Sequence, residues 1–217
     1  MFDDHIDAFH EGVVPAFLAY LEASMQNGAN FKLKGPAIQA AHLLYHYRER
    51  VEPLFNEGTF KPKIVGNTIK DYELLGNVFN LTKHRPDRSG GKLISDSSKI
   101  KEMMVVNMFP SEQGPYMYAQ QRIMVFPNIG RERDLLDICI NVINGWTNFL
   151  IANKIIETGT FYRYSGDDFI TRDQAEVFTN PKLTFKPGWK FNLKILGRGY
   201  NFSTGKFDLI PIRTPAR

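Results

Sequence analysis

The alternation of side chains between residues 183 and 198 is the feature that most restricts the fold of this chain. Odd positions from Leu183 to Ile195 are apolar. Among the even positions between them, a lysine or an arginine recurs every four residues along the chain. A period of two is typical of an extended strand, so the apolar set would face a core and the cations would form one row. The row consists of Lys182, Lys186, Lys190, Lys194 and Arg198.

The net charge is concentrated in the same part of the chain. Residues 1–156 hold 17 Lys and Arg against 17 Asp and Glu, whereas residues 157–217 hold 10 against 6. The whole surplus of +4 therefore belongs to the last quarter, which indicates an anionic partner. Because a row of cations suits phosphate contacts that do not depend on base sequence, we predict nucleic-acid binding by this row.

The same segment has a second interpretation, a half-buried strand whose lysines face solvent and protect a sheet edge. The pair Pro187-Gly188 separates the two. A two-residue hairpin turn at this pair would mix the faces of the strand, whereas a simple bend would preserve the row.

The rest of the chain predicts helices and one hairpin. Helical periodicity covers residues 3–27, 36–56, 68–84 and 132–157, and two strand patterns cover residues 100–109 and 116–126. The sequence therefore predicts an α+β protein, a mainly helical bundle with an inserted β-hairpin and a C-terminal β-rich extension. Residues 1–157 would form the helical domain, with the hairpin at about 100–126, and residues 158–217 the basic, aromatic extension.

Composition restricts the cellular setting. The lone Cys139 excludes an intrachain disulfide and lies in an apolar stretch, as a buried thiol would. The acidic N-terminus is followed by no long apolar run, which argues against a signal peptide. The most apolar stretch, residues 135–156, contains Asp and Asn side chains that would be costly in lipid. We expect a cytoplasmic protein that does not contact a membrane.

Polar side chains follow one face of the second and third predicted helices. On the second helix they are His42, His46 and Glu49, and on the third they are Glu73, Asn77, Asn80 and His84. If the two faces meet, imidazoles and carboxylates converge and can perform general acid–base chemistry, or hold a divalent metal. Two solvated faces are the alternative. Because no metal or cofactor motif is present, we expect no metal and no cofactor.

The fourth predicted helix also carries a polar stripe. Because asparagine is a poor helix former, such a run is unusual on a face that only meets water. It predicts a polar interface between helices or a subunit contact, with ordinary surface as the alternative. The stripe consists of Asp134, Asp137, Asn141, Asn144 and Asn148.

Two segments resemble helices of HEPN-type proteins. They are Ala-His-Leu-Leu-Tyr-His-Tyr-Arg-Glu-Arg at 41–50 and Asp-Tyr-Glu-Leu-Leu-Gly-Asn-Val-Phe-Asn-Leu-Thr-Lys-His-Arg at 71–85. In some host-defence and uncharacterised members a helix ends in a similar Asn…Lys-His. The resemblance covers about residues 35–157. It implies a helical bundle, frequent dimerisation and, in active members, a metal-independent ribonuclease whose signature is an Arg, four to six intervening residues and then a His.

This chain departs from that pattern at both histidines. The positions that would hold the Arg before His84 are Asn77, Val78 and Phe79. The positions that would hold it before His46 are Gln39, Ala40 and Ala41. We therefore predict an RNA-binding protein with a candidate ribonuclease centre. His46 or His84 would act as general acid–base group, and Arg48 or Lys83 would stabilise the phosphorane charge. A non-enzymatic assembly protein that uses the asparagine face and the β extension is the alternative; either would form homo-oligomers. The candidate catalytic residues are His46, Arg48, Asn80, Lys83 and His84.

Overall fold

The computed structural model describes residues 5–25, 33–55, 60–83, 93–164, 166–178 and 194–211. Its helices are α1 (His5–Asp7), α2 (Val14–Met25), α3 (Lys34–Val51), α4 (Pro62–Thr68), α5 (Tyr72–Lys83), α6 (Leu135–Ala152) and α7 (Arg172–Phe178), with a π-helical stretch at Ala8–Val13. Its strands are β1 (Ile100–Phe109), β2 (Tyr116–Val125), β3 (Arg133–Asp134), β4 (Lys194–Asn201) and β5 (Lys206–Ile210).

Helices α2, α3, α5 and α6 share one hydrophobic core, as the apolar stripes of their sequences predict. Trp146 of α6 is fully buried at its centre, and its indole N–H donates to the carbonyl oxygen of Leu44 at 2.9 Å. The rings of Tyr47 and Tyr72 meet Trp146 edge to face, at 5.1 and 5.9 Å between centroids. These contacts hold α3 and α5 against α6.

The helix α6 begins at a capping aspartate. The carboxylate of Asp134 accepts a hydrogen bond from the backbone N–H of Leu136 at 2.9 Å, which satisfies one of the free donors at the start of the helix. Among the described residues, α6 alone is long and apolar enough to cross a membrane, with a mean hydropathy of 1.4, and 56% of that stretch is buried inside the protein. Its apolar face contributes to the core, which agrees with the predicted buried helix.

The predicted hairpin is confirmed. Strands β1 and β2 pair antiparallel in unbroken register, from Ile100 opposite Val125 to Phe109 opposite Tyr116. In the turn between them Gly114 has a φ of 95°, a conformation that favours glycine, and the Ser111 hydroxyl donates to its carbonyl oxygen at 2.7 Å.

The prediction of a mainly helical bundle with an appended β extension is wrong. Of the residues that the structure describes, helices make up about 50% and strands 21%, and the five strands form one curled mixed sheet in the order β3-β2-β1-β4-β5. Strand β4 pairs parallel to β1, from Met103 opposite Lys194 to Met108 opposite Gly199, and β5 closes antiparallel on β4. The hairpin and the C-terminal strands therefore belong to a single sheet, which no local periodicity could specify.

One face of the sheet is largely buried and is polar at one end and aromatic at the other. The polar end carries Asn107, Gln120, Arg122 and Arg198, and the aromatic end packs Phe109, Tyr118 and Phe207 with Ala175 of α7. Residues 160–171, here called the strap, run from α6 across this face; Ser165 within the strap lies outside the described residues. The side-chain amide of Asn144 bonds both the carbonyl oxygen and the N–H of Tyr162, at 2.7 and 2.9 Å.

Candidate functional site

The structure brings the polar stripe of α3 against α5. The ring of His42 stacks on Phe79 of α5, with 4.9 Å between centroids and 9° between planes, and His46 meets the same phenyl ring edge to face at 5.0 Å. One helical turn along α3, Nδ1 of His46 is hydrogen-bonded to Oε1 of Glu49 at 2.7 Å. The α3–α5 face is defined here as His42, His46, Arg48, Glu49, Phe79 and Asn80.

Glu49 also joins His46 to Arg48. Nη2 of Arg48 lies 3.6 Å from the oxygen of Glu49 that bonds His46. The other terminal nitrogen of Arg48 donates to the carbonyl oxygen of Phe60 at 3.0 Å, which fixes the guanidinium beside α3. Two of the predicted catalytic residues, His46 and Arg48, are thus connected through one carboxylate.

Nδ1 of His46 faces the Glu49 carboxylate, a contact that favours the tautomer with the proton on Nδ1. A carboxylate that accepts from Nδ1–H leaves Nε2 with the lone pair, which is the tautomer a general base requires. Nε2 is buried without a hydrogen-bond partner, and the rings of His42 and Phe79 pack against the imidazole. A substrate therefore reaches Nε2 only after one of these rings turns aside.

The other predicted catalytic residues are only partly described. Asn80 is exposed on α5, one residue after Phe79. Lys83 is the last residue of α5, but its side chain and all of His84 lie outside the described residues. Among the described residues, no set of three His, Cys, Asp or Glu side chains is arranged to hold a metal ion. The metal alternative for His42, His46 and Glu49 therefore has no geometric support.

Most of the predicted basic row also lies outside the described residues, namely Lys182, Lys186 and Lys190, together with the turn at Pro187-Gly188. Lys194 is exposed at the start of β4. The described part of residues 157–217 holds five Lys and Arg against six Asp and Glu, so the basic surplus of this region lies in the segments outside it.

Arg198, the last cation of the row, lies on the buried face of the sheet. It is 8% exposed, its guanidinium lies 4.9 Å from the ring centroid of Phe207, and Nη2 forms an ion pair with Oδ1 of Asp167 in the strap. The pairing of Asn107 with Arg198 in the sheet register places this arginine in the polar end of the buried face. As the structure stands, Arg198 is covered by the strap rather than presented on an exposed row.

Sequence reasoning missed a buried ionisable cluster around Arg122. Its guanidinium lies 3.4 Å from Oδ2 of Asp134 and donates to the backbone oxygen of Ser24 at 3.2 Å, as well as to Gln120 and Tyr164. The side chains of both Arg122 and Asp134 are about 95% buried. A buried charge needs such partners, because an unpaired one would cost several kcal/mol.

Asp137 lies one turn after Asp134, and its environment favours the protonated acid. Burial raises its pKa to about 8, and the neighbouring Asp134 adds to this shift, while a hydrogen bond from the N–H of Gly166 opposes it. Burial likewise raises the pKa of Asp134, against the opposing effect of Arg122. Burial alone would lower the pKa of Arg122, but Tyr164 and Asp134 raise it on balance. Burial thus favours the protonated form at both carboxyls, and at Asp134 the charge of Arg122 opposes it.

The sequence held a signal for this cluster. Asp134 and Asp137 are two acids three residues apart, and Arg122 lies in an otherwise apolar strand end.

Two asparagines of the same stripe form hydrogen bonds within the chain. Asn141 donates to Asp71 at 2.6 Å, and Asn144 holds the strap, whereas Asn148 is exposed. The described part of the stripe is therefore chiefly an interface within the chain.

A cavity of about 350 Å³ opens beside the turn before α5. Asp71, whose φ of 65° is unusual for a residue other than glycine, forms a bidentate ion pair with Arg133 at 2.7 and 3.1 Å in its wall. Arg131 in the wall lies 3.5 Å from Asp208. Both arginines of this cavity are thus already paired with acids.

No protein-family model matches the chain, and comparison with the curated proteins and with the solved structures gives no match either. The fold and its sites define an α+β protein with a curled mixed sheet, a buried ionisable cluster and a hydrogen-bonded His46–Glu49 pair on α3, where His46 packs against Phe79 of α5.

Proposed function

We propose that this chain binds single-stranded RNA at the α3–α5 face and that His46 is its acid–base group. The observation that carries the proposal is the Glu49 carboxylate, which lies 2.7 Å from Nδ1 of His46 and 3.6 Å from Nη2 of Arg48. A base, the group that orients it and a cation are thereby held on two consecutive turns of one helix. The cellular site of this activity would be the cytoplasm.

RNA provides a substrate for such a pair. Nε2 of His46 would accept the proton of a ribose 2′-hydroxyl, whose oxygen then bonds the adjacent phosphorus while the bond to the 5′-oxygen breaks. The same imidazolium can return the proton to the departing 5′-oxygen. Arg48 would stabilise the charge that develops on the phosphate oxygens. DNA, which lacks the 2′-hydroxyl, would bind but would not be cleaved.

The test is product analysis with an end-labelled RNA. We expect the wild-type chain to release fragments that end in a 2′,3′-cyclic phosphate. A general base contributes about 10²- to 10⁴-fold, so His46→Gln should lower the rate by at least about 10²-fold. Glu49→Gln should lower it too, because it weakens the orientation of the imidazole. His10→Gln is the matched control, since His10 is exposed and lies outside the α3–α5 face.

Equal cleavage by the wild type and His46→Gln would refute the catalytic part of the proposal. Binding is measured separately, by mobility of the labelled RNA at two salt concentrations. Arg48→Gln should weaken binding, whereas Arg50→Gln, an exposed arginine of the same helical turn, should change it little. Binding that is insensitive to salt would argue against phosphate contacts.

Assembly into homo-oligomers is the second candidate function. The observation that supports it is a set of exposed apolar side chains on the C-terminal strands. Ile195, Phe202 and Leu209 are 54%, 58% and 58% exposed in and beside β4 and β5. Large exposed apolar side chains are typical of contact surfaces where they form one contiguous patch. Light scattering on the wild type and on Ile195→Lys tests this: a wild-type monomer would remove the assembly function, and a variant that dissociates would support it.

A further inference from the structure

The strap covers a cationic group that is only partly satisfied. Arg198 is buried on β4, its Nη2 is paired with Asp167, and its Nε is buried without a partner. A guanidinium offers two donors side by side, from Nε and one terminal nitrogen, that together match two oxygens of one anion. In the described residues only one of these two donor positions is filled.

Asp167, the acid that pairs with Nη2 of Arg198, is more exposed to solvent than the arginine. The side chain of Asp167 is 48% exposed, whereas that of Arg198 is 10% exposed. The ion pair therefore joins a buried cation to a carboxylate at the surface of the strap. Such a carboxylate can exchange with an anion from solution without dismantling the core.

The charges around Arg198 favour an anion in place of Asp167. Arg122 is balanced by Asp134 at 3.4 Å, and Arg133 is balanced by Asp71 at 2.7 Å. Asp137 is largely uncharged below its pKa of about 8, which burial raises. If the Asp167 carboxylate moved away, Arg198 would be left as an unbalanced buried cation, and an external anion would restore neutrality.

Space exists beside the guanidinium as well. A methyl group built on Gly166 would lie 3.7 Å from Nη1 of Arg198, 3.7 Å from Oδ2 of Asp137 and 3.8 Å from Oδ2 of Asp134, with no closer atom. Gly166 therefore leaves space for about one methyl group on the Nη1 side of the guanidinium.

We infer that Arg198 is the centre of a latent anion-binding site, and that the Asp167 carboxylate occupies the place of the ligand in this structure. The ligand is a phosphate group that presents two oxygens to Nη2 and Nε of Arg198. It comes from a free phosphate compound or from a nucleic-acid backbone. The site stands apart from the α3–α5 face and does not depend on the ribonuclease proposal.

The test is an NMR titration of the full chain with inorganic phosphate, which follows the Nε–H signal of Arg198 and the backbone amide of Asp167. We expect both signals to shift, and the Asp167 amide to exchange faster with solvent as its carboxylate is displaced. Asp167→Asn lacks the competing charge, so phosphate should bind it about tenfold more tightly, equivalent to about 1.4 kcal/mol. Asp168→Asn, which removes an exposed acid at the next position, should behave as the wild type.

A second arm uses a single-stranded RNA oligonucleotide. A response of Arg198 to the oligonucleotide and not to inorganic phosphate assigns the site to a nucleic-acid backbone, and a response to both shows that the phosphate group suffices. His46→Gln should leave either response unchanged, so the two proposals fail independently. The inference is overturned if neither probe moves the Nε–H signal of Arg198, or if Asp167→Asn binds phosphate no more tightly than Asp168→Asn. Should Asp167→Asn not fold, the wild-type titration alone decides.

Discussion

At the scale of single residues, the burial of Asp137 has the largest consequence in solution. Its pKa is about 8 in the folded chain, because burial and Asp134 both disfavour its charge, whereas an ordinary aspartate ionises near pH 4. Between about pH 4 and pH 8 the unfolded chain has lost a proton that the folded chain keeps. Stability therefore falls as the pH rises through this window and levels off above it. The charged groups that face this carboxyl cluster include Arg122, Arg133, Asp134, Asp167 and Arg198.

The first prediction concerns this pH dependence. We expect the free energy of unfolding, measured by urea denaturation, to fall as the pH rises from about 4 to about 8, by on the order of 1 kcal/mol per pH unit through Asp137. Asp137→Asn cannot ionise, so it should remove most of this slope. Asp168→Asn, which changes an exposed acid, should keep it. A wild-type profile that is flat from about pH 5 to pH 8 would show that Asp137 is charged in the folded chain.

Part of the candidate site could be predicted from the sequence. The spacing of His46 and Glu49 predicted that they share one face of a helix, and in the structure the two side chains are hydrogen-bonded there. The ion pair of Arg198 with Asp167 could not be predicted, because it joins a strand to a distant loop and depends on the sheet. Lysines and arginines on one face of a strand indicate that this face meets solvent only if no other segment covers it.

At the scale of elements, the contacts of α6 explain why asparagines and a glycine occur within this helix. Asn144 and Asn148 stand one helical turn apart, yet Asn144 bonds the backbone of the strap and Asn148 is exposed. Gly145 lies in the same part of the helix and faces Ile69, the residue after α4. A methyl group at this glycine would come within 2.5 Å of Cγ2 and 3.2 Å of Cβ of Ile69. The glycine thus permits the close approach of two elements.

The second prediction compares the two asparagines. Asn144→Ala leaves the N–H and carbonyl groups of Tyr162 without their partner, and each lost hydrogen bond costs about 0.5–1.5 kcal/mol. We expect hydrogen exchange at Tyr162 to accelerate and the midpoint of urea unfolding to fall. Asn148→Ala should not destabilise, since alanine is the better helix former. Equal effects of the two changes would mean that the strap is held by other contacts.

The third prediction compares two glycines in helices. Gly145→Ala should destabilise the chain by about 1–3 kcal/mol through overpacking against Ile69, despite the higher helix propensity of alanine. Gly35→Ala in the first turn of α3 meets nothing within 4 Å beyond its chain neighbours. The gain in helix propensity opposes the restriction that Pro36 places on the preceding residue, so Gly35→Ala should change stability by less than about 1 kcal/mol. Thermal unfolding of both variants measures the difference. A stabilising Gly145→Ala would contradict the close packing of α6 on Ile69.

At the scale of the whole molecule, the sheet determines which sequence predictions succeed. The periodicity of single segments predicted the hairpin and most of the helices, because each pattern reports which face of its own element is buried. The parallel pairing of β1 with β4 joins segments from opposite halves of the chain, so it leaves no local trace. The sheet that results places Arg122 of β2 and Arg198 of β4 on the same buried face, beneath the strap.

Resonance mapping with a single-stranded RNA oligonucleotide tests whether RNA contacts the α3–α5 face. We expect the side-chain signals of His46 and Arg48 to shift as the RNA is added, while those of His10 and Arg50 stay in place. Shifts confined to residues outside the α3–α5 face, or none at saturating RNA, would contradict the proposed contact.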